Sequence, residues 1–270
     1  MLQKILSYPH THGLDLDSPE ASEMRRQLIK ERNFLNRIYQ EWYQIILEFI
    51  PDGVIGQILE LGSGGGFFDK IFSDVIKSDI IFLTNNSMVL NAHNLPFKSN
   101  SLRAIVMTNV LHHISRPDDF FRSAAKCVRL GGRIIMIEPW VSTWSRFVYK
   151  KLHQEPFEPD AINWHFPPQG PLSGANSAMP WILFHRDKDR FSQAFPEWAV
   201  HHIELMMPLR YLLSGGVSLR VLMPGFTFNF WKWIENRLDP VMKKIAMFAF
   251  IALERTVPYK PVQINEKKSP

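Results

Sequence analysis

Four glycines within five residues could bind a ligand through their backbone groups. The apolar residues Ile58, Leu59 and Leu61 have the length and flanks of a buried parallel strand, and glycines follow at positions 62, 64, 65 and 66. Glycine permits positive φ angles and lets the backbone approach a ligand with no Cβ between them. Apolar residues then recur with helical spacing over 67–72. The stretch Gln57–Phe68 therefore predicts a strand, a glycine turn and a helix N-terminus whose N–H groups face a ligand.

A second candidate ligand-binding residue is Asp79, at the end of the predicted strand Val75–Asp79. In nucleotide-binding α/β folds an acid at the end of the second strand binds ribose hydroxyls, roughly 20 residues after the first glycine. Asp79 satisfies this spacing. A solvated aspartate at a strand end is the alternative.

Acid–base chemistry could come from His112 and His113, which follow a predicted fourth strand, and from Glu138 at the end of a fifth. Histidine is the most common general base, and ligand sites in open α/β sheets lie at strand carboxyl ends. The alternatives are that the histidines shape a pocket wall or cap the next helix, and that Glu138 is solvated or paired with an arginine. Further candidates from a later insertion are His153 and His165. His153 and Glu155 could also be lid residues that meet substrate, with a position on the surface as the alternative.

The ten histidines of the chain could supply metal ligands. No His-x-x-x-His pair with a third ligand is present, and His201 and His202 are expected to alternate across a strand. The sequence therefore predicts no metal site.

The spacing of the glycines limits the classes of ligand that the turn could bind. The dinucleotide fingerprint would place its third glycine where Phe67 stands, and the Gly-Lys-Ser/Thr ending of a Walker loop is absent. Glu60 lies two residues before the first glycine. The acidic-x-Gly-x-Gly-x-Gly pattern resembles motif I of the class I S-adenosylmethionine (SAM)-dependent methyltransferases. The resemblance implies that the turn packs against the methionine part of SAM and that Glu60 helps to organise its amino-acid end.

Later segments extend the resemblance over roughly residues 57–140. Asn91–Phe97 is similar to the Asp-Ala-x-x-Leu-Pro-Phe segment that borders adenine in this family, with Asn91 in place of the aspartate. Ser101–Ala104 is similar to its Ser-Phe-Asp, with Arg103 in place of the acid. Leu111–Pro117 is similar to the Leu-His-His-x-x-x-Pro pattern of the small-molecule subgroup, and Arg129–Arg133 to Leu-x-Pro-Gly-Gly-Arg without its proline. The resemblance implies cofactor binding by Glu60, Gly62, Ser63, Gly64, Gly66, Asp79, Asn91, Ala92, His93 and Asn109.

The order of these segments predicts a doubly wound, Rossmann-like α/β fold. We expect a mostly parallel seven-stranded sheet with an antiparallel last strand, N-terminal helices over the cofactor site, and aromatic-rich cap insertions. The predicted parts are a helical segment at 1–56, the SAM-binding core at 57–140, a cap insertion and helix at 141–198, the C-terminal strands with a second insertion at 199–258, and a tail at 259–270. The connection after strand two is too short for a normal helix.

Composition constrains location and partners. The chain has 270 residues, a formal net charge of +5 and a single cysteine. The scattered basic residues do not indicate nucleic acid binding, and one cysteine excludes an intramolecular disulfide and suits a reducing compartment. Met1–Gly13 lacks a signal-peptide pattern, and no apolar run approaches the roughly 20 residues that span a bilayer. The expected location is the cytoplasm.

The predicted function is transfer of a methyl group from SAM to a small or lipid-like acceptor. The aromatic stretch 226–233 also permits peripheral contact with a membrane. An Asn-Pro-Pro-Tyr motif is absent where Thr108–Leu111 stands, which argues against methylation of nucleic acid bases. A non-catalytic binding protein with this fold is the alternative, and an NAD(P)-dependent oxidoreductase is a third, less favoured hypothesis.

Overall fold

The computed structural model describes residues 15, 17–152, 155–167, 170 and 174–259. The candidate residue His153 lies outside the described residues, as do the segment Met1–Gly13 and all of the predicted tail except Tyr259.

One seven-stranded sheet organises the chain, with the strand order β3-β2-β1-β4-β5-β7-β6. The strands are β1 Gln57–Leu61, β2 Ile76–Asp79, β3 Met88–Val89, β4 Leu102–Thr108, β5 Val128–Pro139, β6 Trp198–Met206 and β7 Phe248–Arg255. Strands β1 to β5 pair in parallel, and β7 runs antiparallel to both β5 and β6. The predicted mixed Rossmann-like sheet is confirmed.

The strand order reverses beside β1, which lies between β2 and β4. Connections from the carboxyl ends of these neighbouring strands leave in opposite directions and open a crevice, where open α/β sheets bind ligands. The glycine turn after β1, Asp79 at the end of β2 and Asn109 after β4 all lie at this crevice.

Helices cover both faces of the sheet. They are α1 Pro19–Glu31, α2 Asn33–Glu48, α3 Phe68–Ile71, α4 Pro117–Cys127, α5 Thr143–Leu152, α6 Met179–Trp181, α7 Lys188–Ala194, α8 Arg210–Ser214, α9 Phe228–Arg237 and α10 Met242–Ile245. A π-helical stretch, Ile182–Arg186, continues α6.

The apolar core forms two layers because successive strand residues face opposite sides. Leu59 and Ile105 belong to the layer that contains Phe120 and Phe121 of α4. Ile58 and Val106 belong to the layer that contains the aromatic face of α2 and the buried side of α5. Glu60 has the parity of Ile58, so its side chain lies on the side covered by α2.

Three elements have bounds that tertiary contacts decide. Helix α3 ends at Ile71 because Phe72 is already extended. Strand β4 begins at Leu102, and Leu102 and Ala104 are buried and paired with β1. Helix α5 extends to Leu152, only four residues before Pro156.

Within the described ranges, no helix combines the length and apolar character needed to cross a membrane.

Candidate active site at the carboxyl edge of the sheet

The glycine turn presents its backbone toward the end of β2. Gly64 has φ of +44°, a left-handed conformation that side-chain-bearing residues rarely adopt. Its N–H donates to Asp79 Oδ2 over 2.9 Å. The other oxygen of Asp79 accepts from the Ile81 N–H at 3.0 Å. These bonds fix the end of β2 against the turn.

Helix α1 lies directly on the glycine turn. A Cβ at Gly65 would stand 2.6 Å from the backbone nitrogen of Arg26, a distance shorter than any normal contact. The guanidinium of Arg26 also donates to the Gly64 carbonyl at 3.4 Å. Glycine at position 65 is therefore required for the close approach of α1, and the N-terminal helices cover the turn as expected.

Two carboxyl groups beside the turn are buried. Burial raises the pKa of Glu60 to about 8, and the positive charge of Lys77 only partly offsets this. The Oε2 atom of Glu60 is buried without a hydrogen-bond partner among the described residues. Burial also raises the pKa of Asp79, against the hydrogen bonds that it accepts from backbone N–H groups. An unpartnered buried carboxyl oxygen favours a site that binds a cationic or hydrogen-bond-donating group.

The Asn91 loop and the end of β4 form the neighbouring wall. Asn91 Oδ1 accepts from the His93 N–H at 2.9 Å, so its side chain shapes its own loop. His93 Nε2 in turn accepts from the Arg116 N–H at 3.3 Å. Asn109 has φ of +58° directly after β4. This strained conformation turns the chain into the 3₁₀ turn Leu111–His113.

Glu138 joins the ends of β4 and β5. It is fully buried, and its Oε1 accepts from the N–H groups of Val110 and Leu111 at 2.8 and 2.7 Å. Its Oε2 lies 2.6 Å from Nδ1 of His112. Burial by itself lowers the pKa of His112, but the carboxylates of Glu138 and Glu155 outweigh burial and raise it to about 9.

His113 and Glu155 complete a cluster with His112. Nε2 of His112 lies 3.3 Å from Glu155 Oε2, and Nε2 of His113 lies 3.8 Å from Glu155 Oε1. Nδ1 of His113 is 3.2 Å from the carbonyl oxygen of Gly174. Burial, together with the neighbouring His112, lowers the pKa of His113 to about 4. We call His112, His113 and Glu155 the His–His–Glu cluster.

One cavity of about 850 Å³ connects the glycine turn to the His–His–Glu cluster. Its volume is within the range of small-molecule and cofactor sites. All ten residues predicted to bind the cofactor line it. Apolar and aromatic side chains form much of the remaining wall, among them Val148, Tyr149, Leu152, Tyr211, Leu219 and Phe248.

The predicted catalytic residues occupy different places. His112 and His113 line the cavity, whereas Glu138 is absent from its wall and lies behind His112. Glu155 follows α5 and reaches the histidines from the cap region. The sequence named it only as an insertion residue that could meet substrate, and no local pattern marked it as their partner. His165 also lines the cavity but pairs with Asp118 at 2.6 Å.

Comparison with known proteins identifies the domain. Residues 59–136 match the family model described as a methyltransferase domain. The matched residues run from β1 into β5, and the predicted class, a SAM-dependent methyltransferase with SAM as its cofactor, is confirmed. A search of curated proteins found no match.

Two solved structures with TM-scores of 0.53 and 0.50 share this fold. A chain in the complex between the Haloferax volcanii Trm112 methyltransferase activator and a methyltransferase has a TM-score of 0.53 at 12% identity, over 89% of this chain and 96% of that one. A SAM-dependent methyltransferase from Thermotoga maritima, described as a possible histamine N-methyltransferase, has a TM-score of 0.50 at 16% identity, over 88% and 99%. A geranyl diphosphate C-methyltransferase from Streptomyces coelicolor A3(2) has a TM-score of 0.48 at 16% identity, over 89% and 86%.

The described residues fit SAM. The unpartnered Oε2 of Glu60 suits a cationic amino-acid end, and the glycine turn at Gly64 lines the cavity beside it. Asp79 has acceptor oxygens at the ribose position of nucleotide-binding folds. These groups lie at the carboxyl ends of β1 and β2, which are neighbours in the sheet.

Proposed function

We propose that the protein methylates a small molecule with an apolar body, bound between the glycine turn and the His–His–Glu cluster. The supporting observation is the single cavity that includes both groups of residues. Cofactor and acceptor can therefore occupy one enclosed space, and holding reactants in alignment supplies much of the catalysis of a displacement reaction.

Glu60, Asp79 and the turn at Gly62, Ser63, Gly64 and Gly66 would hold the cofactor. Asn91, Ala92, His93 and Asn109 would border it on the other side. Bound SAM supplies an electrophilic methyl group on a cationic sulfur. The remaining chemistry is binding and orienting the acceptor, and accepting its proton when the acceptor is a hydroxyl, an acidic carbon or a protonated nitrogen.

The cluster supports a role for His113 and Glu155 at the acceptor. The Gly174 carbonyl can only accept a hydrogen bond, so Nδ1 of His113 carries the hydrogen and Nε2 presents its lone pair toward Glu155. A proton-bearing acceptor group placed at the cluster can donate to this lone pair or to the Glu155 carboxylate. Glu138 acts through His112 as a positioning residue, since its oxygens are taken up by His112 and two backbone N–H groups.

The apolar residues that line the cavity favour an acceptor that is apolar over most of its surface. Val148, Leu152 and Leu219 lie on the side of the cavity that α5 and the 215–219 loop provide. Small-molecule pockets typically combine such a wall with a few polar groups that fix orientation. A small or lipid-like acceptor fits this combination, and the expectations of no nucleic acid partner and a cytoplasmic location stay predictions.

The test is to supply methyl-labelled SAM with a cellular extract separated into small-molecule, lipid, protein and nucleic acid fractions. We expect label in the small-molecule or lipid fraction, and at least a tenfold loss of that label with Glu155→Gln. The exposed substitution Glu48→Gln serves as the matched control. Label confined to protein or nucleic acid, or equal labelling by wild type and Glu155→Gln, would contradict the proposal.

Peripheral contact with a lipid surface is a second part of the proposal. Phe226, Phe230 and Trp233 are 86%, 56% and 51% exposed near the start of α9 and along it. The guanidinium of Arg237 lies 3.5 Å from the Trp233 ring centre. Aromatic side chains beside basic ones are typical of interfacial helices. Sedimentation with anionic vesicles should fall for Phe230→Ser/Trp233→Ser, and equal sedimentation of variant and wild type would refute the contact.

A further inference from the structure

The His–His–Glu cluster has the arrangement of a metal-ligand set. One ring nitrogen from each histidine and one carboxylate oxygen of Glu155 all lie within 4.8 Å of one another. Nε2 of His112 lies 3.3 Å from Oε2 of Glu155, and Nε2 of His113 lies 3.8 Å from its other oxygen, Oε1. A tetrahedral ion with bonds of about 2.0–2.1 Å separates its ligands by roughly 3.3–3.4 Å. Small side-chain movements would therefore place all three atoms around one ion.

Independent evidence comes from the other nitrogen of each imidazole. Nδ1 of His112 is held by the Glu138 carboxylate at 2.6 Å, and Nδ1 of His113 by the Gly174 carbonyl at 3.2 Å. Metal-binding histidines almost always donate their second ring N–H to a carboxylate or a backbone carbonyl, which fixes the tautomer and aims the first nitrogen at the ion. Here a carboxylate supports His112 and a backbone carbonyl supports the adjacent His113.

The exposed fractions of the three side chains and their position at the cavity also suit a bound metal ion. The histidine side chains are 3% and 12% exposed, whereas Glu155 is 26% exposed. All three line the cavity. Three protein ligands with an open side toward a cavity are typical of catalytic rather than structural metal centres.

We propose that His112, His113 and Glu155 bind one divalent first-row transition-metal ion, with Zn²⁺ as the reference ion and Glu138 as the residue that orients His112. Two imidazoles and one carboxylate form a mixed nitrogen and oxygen set, which suits ions such as Zn²⁺, Co²⁺ and Fe²⁺ better than Mg²⁺ or Ca²⁺. This proposal replaces the sequence-based prediction of no metal, which rested on the absence of a His-x-x-x-His pair with a third ligand. Glu155 lies in a different segment from the two histidines, so spacing along the chain did not connect it with them.

The role of the ion rests on the proposed function. Because all three ligands line the cavity, the ion would keep an open position there, bind an oxygen of the acceptor and lower the pKa of an acceptor hydroxyl. His113 and Glu155 would then act as ligands that hold the ion against the acceptor.

The experiment uses the full chain, freed of metal with a chelator and titrated with Co²⁺. Co²⁺ reports its ligands through visible absorption, and Zn²⁺ should displace it. We expect one Co²⁺ per chain with an absorption band typical of nitrogen and oxygen ligands. Loss of a ligand in His113→Ala or Glu155→Gln should weaken binding at least 100-fold. Glu138→Gln, which removes only the support of His112, should weaken it by about 10–100-fold.

The matched control is His201→Gln/His202→Gln, which removes another adjacent histidine pair, each histidine within 4 Å of a glutamate on the sheet. Its Co²⁺ affinity should equal that of wild type. Circular dichroism checks that each variant is folded, and the partly exposed Glu155→Gln keeps the test valid if a histidine variant unfolds. No Co²⁺ band in folded wild type, or an unchanged band in Glu155→Gln, would overturn the metal site. Binding of SAM by the metal-free protein is measured separately, so this failure leaves the proposed function intact.

Discussion

Glu60→Gln should change both the stability of the protein and the proton balance of cofactor binding. Glu60 is 6% exposed on the side of β1 that α2 covers. Burial raises the pKa of its carboxyl group to about 8, so the free protein carries it mostly protonated at pH 7. Glutamine has the same shape as the protonated acid but cannot ionise.

The magnitude follows from linkage. A carboxyl group whose pKa is raised on folding contributes stability that is complete below the unfolded value, 4.5, and is lost as the pH rises through about 8. Each pH unit in this window corresponds to about 1.4 kcal/mol, and the whole window to at most about 5 kcal/mol. The free energy of unfolding of Glu60→Gln, relative to wild type, should therefore increase by up to this amount between pH 4.5 and 8.

Urea unfolding at several pH values measures this difference, with the exposed Glu48→Gln as the control that should show no such trend. Cofactor binding gives the second readout. If a cationic group of SAM binds beside Glu60, the carboxyl ionises and wild type should release about one proton per SAM at pH 7. Calorimetry in buffers of different ionisation enthalpy counts that proton, and Glu60→Gln should release none. A stability difference that does not vary with pH, together with equal proton release, would refute the role of Glu60.

Two further predictions concern Glu138 and Gly65, which hold neighbouring parts of the site in position. Glu138→Gln should lower the free energy of unfolding by about 3 kcal/mol in urea titrations, because the amide retains an acceptor for the Val110 and Leu111 N–H groups but loses the charged partner of buried His112. A loss below about 1 kcal/mol would contradict the buried pair. Gly65→Ala should cost about 1–3 kcal/mol and weaken SAM binding, since its Cβ would meet the Arg26 backbone at 2.6 Å. Gly53→Ala, which has nothing within 4 Å of its Cβ, is the control, and equal melting temperatures for the two variants would show that α1 does not pack on the turn as described.

The proposed cofactor side of the site was predictable because its requirements are local. A strand, a turn that needs glycine and an acid at the end of the next strand each leave a pattern in the sequence, and ten predicted residues line one cavity. The parallel order of β1 to β5 follows from the alternation of strands and helices. Asn91 fits the predicted wall, although its Oδ1 is used within its own loop.

The proposed acceptor side was less predictable because it depends on contacts between distant segments. His112, His113 and Glu138 were recognised as candidates, but only the fold shows that Glu138 is saturated by the turn after β4. Glu155 reaches the histidines because α5 continues to Leu152. The apolar spacing of Trp144, Val148 and Leu152 contained the signal for that helix, and the prolines that follow obscured it.

The most direct test of the central claim is calorimetric titration of wild type and Gly64→Val with SAM, S-adenosylhomocysteine and NAD. Valine at position 64 would have to adopt φ near +44° and would direct its side chain toward Asp79. Wild type should bind SAM and S-adenosylhomocysteine but not NAD, and Gly64→Val should lose at least 100-fold in affinity while remaining folded. Binding of NAD, absence of binding by either SAM ligand, or unchanged affinity in Gly64→Val would contradict a methyltransferase site at the glycine turn.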